Sequence, residues 1–221
     1  MDWFPLINSI RIAAIASILM FFTGIFASYY IIRLPRAAKG FLDVIFTLPL
    51  VLPPTVCGYL LLMVFGVRRP IGAFLAEYGI QFVMTWYGGV IAASFVAFPL
   101  MYRTARGAFE SFDQTLTYSG QTLGLSNSYI FWRVRMPVCR QGILAGLVLG
   151  FARALGEFGA TVMLIGYIPG RTATIATTVY HFWRTDNDAV VIWVMINIGI
   201  SMVVLFAINM LEKRKKGAMG R

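Results

Sequence analysis

The chain has 221 residues, 59% of them hydrophobic and only 13% charged. Soluble domains are ~45–50% apolar, so this composition excludes an ordinary soluble fold and indicates an integral membrane protein. The net charge of +10, from 19 basic and 9 acidic residues, would suit nucleic-acid binding, but the basic residues fall in short connections beside apolar runs, a pattern that belongs to membrane orientation.

Five apolar runs each reach the ~20 residues that a bilayer core requires. They are Leu6 to Ile32, Phe41 to Phe65, Phe82 to Tyr102, Gly142 to Gly166 and Val190 to Met210. No basic leader or small-residue cleavage site precedes the first, so it is expected to remain as a helix.

The second run is interrupted by Pro49, Pro53 and Pro54. Each proline removes a backbone donor and frees a carbonyl, which is tolerated in lipid where neighbours or water satisfy the freed groups. Thr47 and Thr55 are nearby candidates. Two readings stand: a kink that serves helix packing, or a broken helix that lines a translocation path and acts as a hinge. The connection Val67 to Gln81, with Pro70 and Gly72, is too short and polar to span and reads as an external link or interfacial helix.

From Glu110 to Pro137 the chain turns polar and basic between two apolar runs. That length exceeds a turn and suits a docking surface. Gly124 can end a short helix by taking positive φ, and Pro137 suits the first turn of the next helix.

The fourth run carries Arg153 and Glu157, four residues apart and so on one helix face. Arg153 lies ~20 Å along a helix from Arg140 at 1.5 Å per residue. Intramembrane charges face a bundle interior or a wet cavity. The pair reads either as a closed structural ion pair, which the energetics favour, or as part of a path wall. Gly142, Gly146 and Gly150 form a small-residue stripe suited to close helix packing. The connection from Tyr167 to Asp188 holds Arg171, His181, Arg184, Asp186 and Asp188. It reads as a solvated loop or as a receiving surface for a partner.

Direction follows from charge. Arg33, Arg36, Lys39, Arg103, Arg106, Arg133, Arg135, Arg140, Lys213, Arg214, Lys215, Lys216 and Arg221 fall on one side, against Arg68, Arg69, Arg171 and Arg184 on the other. Excess Lys and Arg mark the cytoplasm. The N-terminus is therefore expected outside and the C-terminus inside, with the 110–137 loop cytoplasmic and the whole chain forming one transmembrane domain.

Within that loop, Tyr118-Ser119-Gly120-Gln121-Thr122-Leu123-Gly124, then nine residues, then Val134-Arg135-Met136-Pro137, resembles the signature loop of binding-protein-dependent ABC importer permeases. That family begins the motif with Glu and two alanines; Tyr118, Ser119 and Gly120 depart from it. Thr47 to Val56, Ala152 to Thr161 with Phe158-Gly159-Ala160-Thr161, and Ile168-Pro169-Gly170-Arg171-Thr172 are similar to the molybdate and sulfate branch, the molybdate subunits most.

The resemblance implies an all-α permease fold in the cell membrane and a homodimer with its path on the two-fold axis. It implies two ABC ATPase subunits docked on the loops, and an extracytoplasmic binding protein that delivers a tetrahedral oxyanion. Docking residues would be Ser119, Gly120, Gln121, Thr122, Leu123, Gly124 and Pro137. Path or ion-pair residues would be Pro49, Pro53, Pro54, Thr55, Arg153, Glu157 and Thr161. Cargo would be molybdate, with tungstate, sulfate or thiosulfate as alternatives.

The chain contains no Gly-x-x-x-x-Gly-Lys-Ser/Thr sequence to cradle phosphate, so ATP and Mg are expected on the partner, with no cofactor here. With only a short stretch after Met210, a fused C-terminal regulatory domain is not expected. Two cysteines and one histidine argue against a disulfide framework or an imidazole metal site. An intramembrane enzyme would need a nucleophile–base pair or a metal, and none is evident. A non-transporting scaffold would leave the loop and the broken run without a purpose.

Overall fold

The computed structural model describes residues 2–219, with side chains described through residue 206. The basic side chains Lys213, Arg214, Lys215, Lys216 and Arg221, on which part of the expected direction rests, lie outside these. All described secondary structure is helical.

Helix α1 (Phe4–Ile31) carries Pro5 in its first turn, where the missing N–H costs nothing. At 1.5 Å per residue, 28 residues reach ~42 Å, more than the ~30 Å of hydrocarbon. The second run is two helices, α2 (Arg36–Val51) and α3 (Pro54–Phe65), whose axes bend by 115°. Leu52 and Pro53 each precede a proline, which drives a residue out of the α region. Both are extended, with ψ of 141° and 136°. Pro54 then opens α3.

The connection from Val67 to Gln81 holds the short helix α4 (Pro70–Glu77). A Cβ on Gly72 would strike the Phe65 and Gly66 carbonyl oxygens, so α4 lies directly on the end of α3. Helix α5 (Trp86–Glu110) starts at Thr85, whose Oγ1 accepts the Gly88 amide at 3.3 Å. It begins four residues after the expected Phe82 and runs eight past Tyr102. Its last two turns place Arg103, Arg106 and Glu110 on the helix rather than in a loop.

The polar stretch then folds as α6 (Thr115–Thr122) and α7 (Asn127–Ile130), a π-helical segment (Phe131–Arg135), and α8 (Met136–Leu155). The last three form one helix over Asn127–Leu155. This corrects the expectation that a new helix starts near Pro137 and spans Gly142 to Gly166. Pro137 cannot donate to the carbonyl four residues back. The wider π turn, in which the Met136 amide bonds the Phe131 carbonyl, re-spaces the ladder just before it. At its other end the helix stops at Gly156 and resumes after Phe158 as the seven-residue α9 (Gly159–Ile165), so the fourth run is broken like the second.

The remaining helices are α10 (Ile175–Phe182), opened by a Thr174–Thr177 capping box, and α11 (Asn187–Met219). Only 6% of the most apolar stretch of α11 is buried.

The core lies where α1, α5 and α8 pack. Ala13, Ala16, Ala92, Ala93 and Ala97 are fully buried there. A Cβ on Gly142 would lie 2.6 Å from the Ala108 Cβ, and one on Gly146 3.0 Å from the Met101 Sδ. Side chains this small bring backbones close, and close dispersion contact is what holds helices together in lipid. The glycine stripe is thus a packing stripe. Among the described residues four helices are long and apolar enough to cross a membrane, or five if the bent pair is one span, in keeping with the five apolar runs.

Candidate functional site

The two broken runs meet at their breaks. A Cβ on Gly159 would lie 2.9 Å from the Pro54 Cβ and 3.0 Å from the Thr55 amide. A Cβ on Gly58 would fall 2.7 Å from the Ala160 Cα. Helices α3 and α9 therefore touch backbone to backbone, and the prolines of one break sit against the glycine that reopens the other.

Glu157 lies between Gly156 and Phe158 in the second break and is 4% exposed. Its Oε1 accepts the Ala160 amide at 2.7 Å, capping α9. Its Oε2 sits 2.6 Å from Arg153 Nη1, an ionic contact without hydrogen-bond geometry. The expected pairing is present, but for a different reason than a shared helix face: α8 has already ended. Thr161 is buried in the first turn of α9. Thr55 is exposed. Thr47 Oγ1 donates to the Asp43 carbonyl at 2.6 Å. Neither threonine caps a carbonyl freed by a proline. The Cys57 Sγ lies 4.0 Å from the Pro49 oxygen, a carbonyl freed by Pro53.

At the bundle end carrying the 110–137 stretch, α2 and α5 are joined by charge. Arg106 pairs with Asp43 and Glu110, Lys39 with Glu110, and the Tyr102 hydroxyl donates to Asp43. Asp43, Thr47, Arg103, Arg106 and Glu110 line a cavity of about 420 Å³. Sequence reasoning used Lys39 and Arg106 only as orientation charges and passed over Asp43. The available signal was an acid inside an apolar run and the four-residue Arg106–Glu110 spacing.

The loop itself is built on α6. Asp113 accepts the Thr115 amide at 2.9 Å, and hydrogen bonds from the Thr115 side chain and amide hold its carboxyl below the usual range. At the other end Gly124 takes φ +76°. The Gly124 amide bonds the Gln121 carbonyl at 2.9 Å and the Leu125 amide bonds Gly120 at 3.0 Å, the paired bonds of a Schellman stop. Gln121 Nε2 bonds Asn127 Oδ1 at 2.9 Å, and Thr122 Oγ1 bonds the Tyr118 carbonyl at 3.0 Å, so both side chains brace the turn.

Gly120 faces inward, where a Cβ would lie 3.0 Å from Ile130. Ser119, Gln121, Thr122, Leu123 and Gly124 are exposed, as is Pro137 further along the continuous helix. Tyr118 and Leu123 are 66% and 78% exposed. The structure thus gathers Ser119 to Gly124 on one turn and leaves Pro137 apart from it. It brings Pro54 and Thr55 to the second break, two residues from Glu157.

Two spans broken at prolines and at glycines meet at their breaks, and a short polar helix closed by a Schellman stop lies at one end, the arrangement of a polytopic membrane protein. The sequence pattern of the "Binding-protein-dependent transport system inner membrane component" family matches residues 5–217, and the chain belongs to that family. It is 36% identical over 223 residues to the "Molybdenum transport system permease protein ModB" of Escherichia coli (strain K12), covering 100% of this chain and 97% of that one. It is 38% identical over 208 residues to the "Putative molybdenum transport system permease protein YvgM" of Bacillus subtilis (strain 168), covering 93% and 91%. Among solved structures, a bacterial ABC transporter involved in import of the acidic polysaccharide alginate superposes with TM-score 0.76 at 18% identity, covering 95% of this chain and 78% of that one. That likeness concerns the fold.

Proposed function

We propose that this chain is the membrane-spanning subunit of an ATP-driven molybdate importer. Two copies enclose the path, two ATPase subunits dock on α6 from the cytoplasm, and an extracytoplasmic binding protein delivers the oxyanion. ATP and Mg reside on the ATPase. Its closure draws the two α6 helices together and opens the path outward; hydrolysis reverses this.

The observation that carries the reading is α6: a short helix, stopped at both ends by its own hydrogen bonds, with Tyr118 and Leu123 held out in solvent. Exposed large apolar groups on a braced turn suit a protein groove. The relatives named for molybdenum transport support the cargo.

The test is co-purification and uptake with the ATPase and binding protein of the same system. Leu123→Asp is expected to release the ATPase and abolish uptake while the permease still elutes as a folded dimer. Retained ATPase would overturn the docking face. Titration of the binding protein with molybdate, tungstate and sulfate tests the cargo, and tight sulfate binding without molybdate binding would reassign it.

A further inference from the structure

Arg135 is a cation buried to 6% exposure, and among the described residues no carboxylate lies within ion-pair distance of it. A buried guanidinium without a counter-ion is costly unless its donors are satisfied. Arg135 Nη2 donates to Gln114 Oε1 at 3.1 Å and to Thr117 Oγ1 at 3.3 Å. Gln114 is the residue before α6 and Thr117 lies in its first turn. The guanidinium carbon sits 4.8 Å from the Phe112 ring centre and 5.5 Å from that of Tyr29. Tyr29 is in the last turn of α1, and its ring meets Phe131 of the π segment at 4.5 Å.

One side chain therefore touches α6, the 111–114 connection and the end of α1, from the helix that runs on to Leu155. A second contact holds the far end of α6, where Gly120 packs on Ile130. One contact alone leaves a rod free to pivot; two contacts at opposite ends fix its direction.

We propose that Arg135 is a positioning residue for energy coupling, the strut that turns motion of α6 into motion of α1 and the Asn127–Leu155 helix. This rests on the reading of α6 as the ATPase-docking helix. Arg135 is buried while Tyr118 and Leu123 are exposed, so docking and transmission are separable. A lysine keeps the charge near the Phe112 and Tyr29 rings but not the planar fork that bonds Gln114 and Thr117 together.

The test uses the full complex with ATPase and binding protein in liposomes, with molybdate as cargo. Three quantities are read: ATPase retained, ATP hydrolysed, and molybdate taken up per ATP. In Arg135→Met the ATPase stays bound and hydrolysis continues, while uptake per ATP falls about tenfold, within the range by which residues between two sites alter their coupling. Arg135→Lys gives a smaller loss. Thr117→Val, which removes one acceptor and leaves Gln114, falls about two- to threefold on the same basis, and it decides the matter if Arg135→Met does not fold. Unchanged uptake per ATP in the folded variants overturns the strut, and so does loss of the ATPase from Arg135→Met. Leu123→Asp separates the two readings. If it fails to release the ATPase, the docking face is wrong whatever Arg135 does. If it releases the ATPase while Arg135→Met couples normally, only the strut is wrong.

Discussion

At Gly58 a single missing side chain sets the distance between two helices. Any Cβ there would meet Ala160 backbone and the Met163 Cβ at 2.7–2.8 Å, and backbone cannot swing aside like a side chain. Gly58→Val should therefore destabilise by about 1–3 kcal/mol, the usual cost of overpacking, seen as a lower melting temperature in detergent. Glu157→Gln keeps an acceptor for the Ala160 amide and removes the charge that faces Arg153. A one-sided break of a fully buried pair costs about 3–5 kcal/mol, and the 30% exposed Arg153 reduces that to about 1–3 kcal/mol. A clear drop in melting temperature is expected. Unchanged melting with altered uptake would assign the pair to the path instead. Asp43→Asn, in a pair exposed by 20% and 27%, should cost only about 0.5–1 kcal/mol. The ranking of the last two melts tests burial against exposure. Arg153 and Glu157 were legible in the sequence as an unusual pair. The cap on α9 was not, because it depends on a break that spacing alone hides.

At the scale of elements, the breaks explain what sequence reading could and could not see. Three prolines within six residues announce the first break, since two successive residues must leave the α region. The second break has no proline. Gly156 and Gly159 flank it, and glycines in a membrane helix read equally as packing positions, so the apolar run looked continuous to Gly166. The opposite error occurred upstream. Hydropathy places the fourth span at Gly142, where the apolar run begins, but helix geometry does not end where polarity does, and the same rod runs back to Asn127. Replacing both Pro53 and Pro54 with alanine should let α2 continue toward α3 and draw Thr55 away from Gly159. Uptake is expected to fall while the ATPase remains bound; normal uptake would reduce the break to a packing kink.

For the whole molecule, the direction of the bundle rests on charge. Tyr118→Cys is expected to react with an impermeant thiol reagent only after the cytoplasmic face is opened, and Arg171→Cys from outside on intact cells. The native Cys57 and Cys139 are buried and give little background. The reverse pattern would invert the topology and remove α6 from reach of an ATPase. The five apolar runs, the short helix after Val67 and the Gly124 stop were all readable, because length, composition and positive φ are local properties. The Asp43–Arg106–Glu110–Lys39 junction and the Arg135 strut were not. Apart from the Arg106–Glu110 pair, their contacts join residues far apart in sequence, Lys39 with Glu110 and Arg135 with Gln114, Thr117 and Tyr29, and the packing of α1, α2, α5, α6 and the Asn127–Leu155 helix brings those together.

The π-helical segment before Pro137 also sets a phase. A turn of five-residue hydrogen bonding holds one residue more than an α turn, and each α residue advances the helix by ~100° and 1.5 Å. Deleting Trp132, which is exposed, would let the ladder close as plain α-helix. Everything before it, α6 included, would then rotate by roughly a quarter turn relative to α8. The outward face of α6 is thus indexed to the long helix by a count of residues, so that a change of one residue in length at this point re-aims α6, keeping Gly120 on Ile130 while parting Gln114 and Thr117 from Arg135.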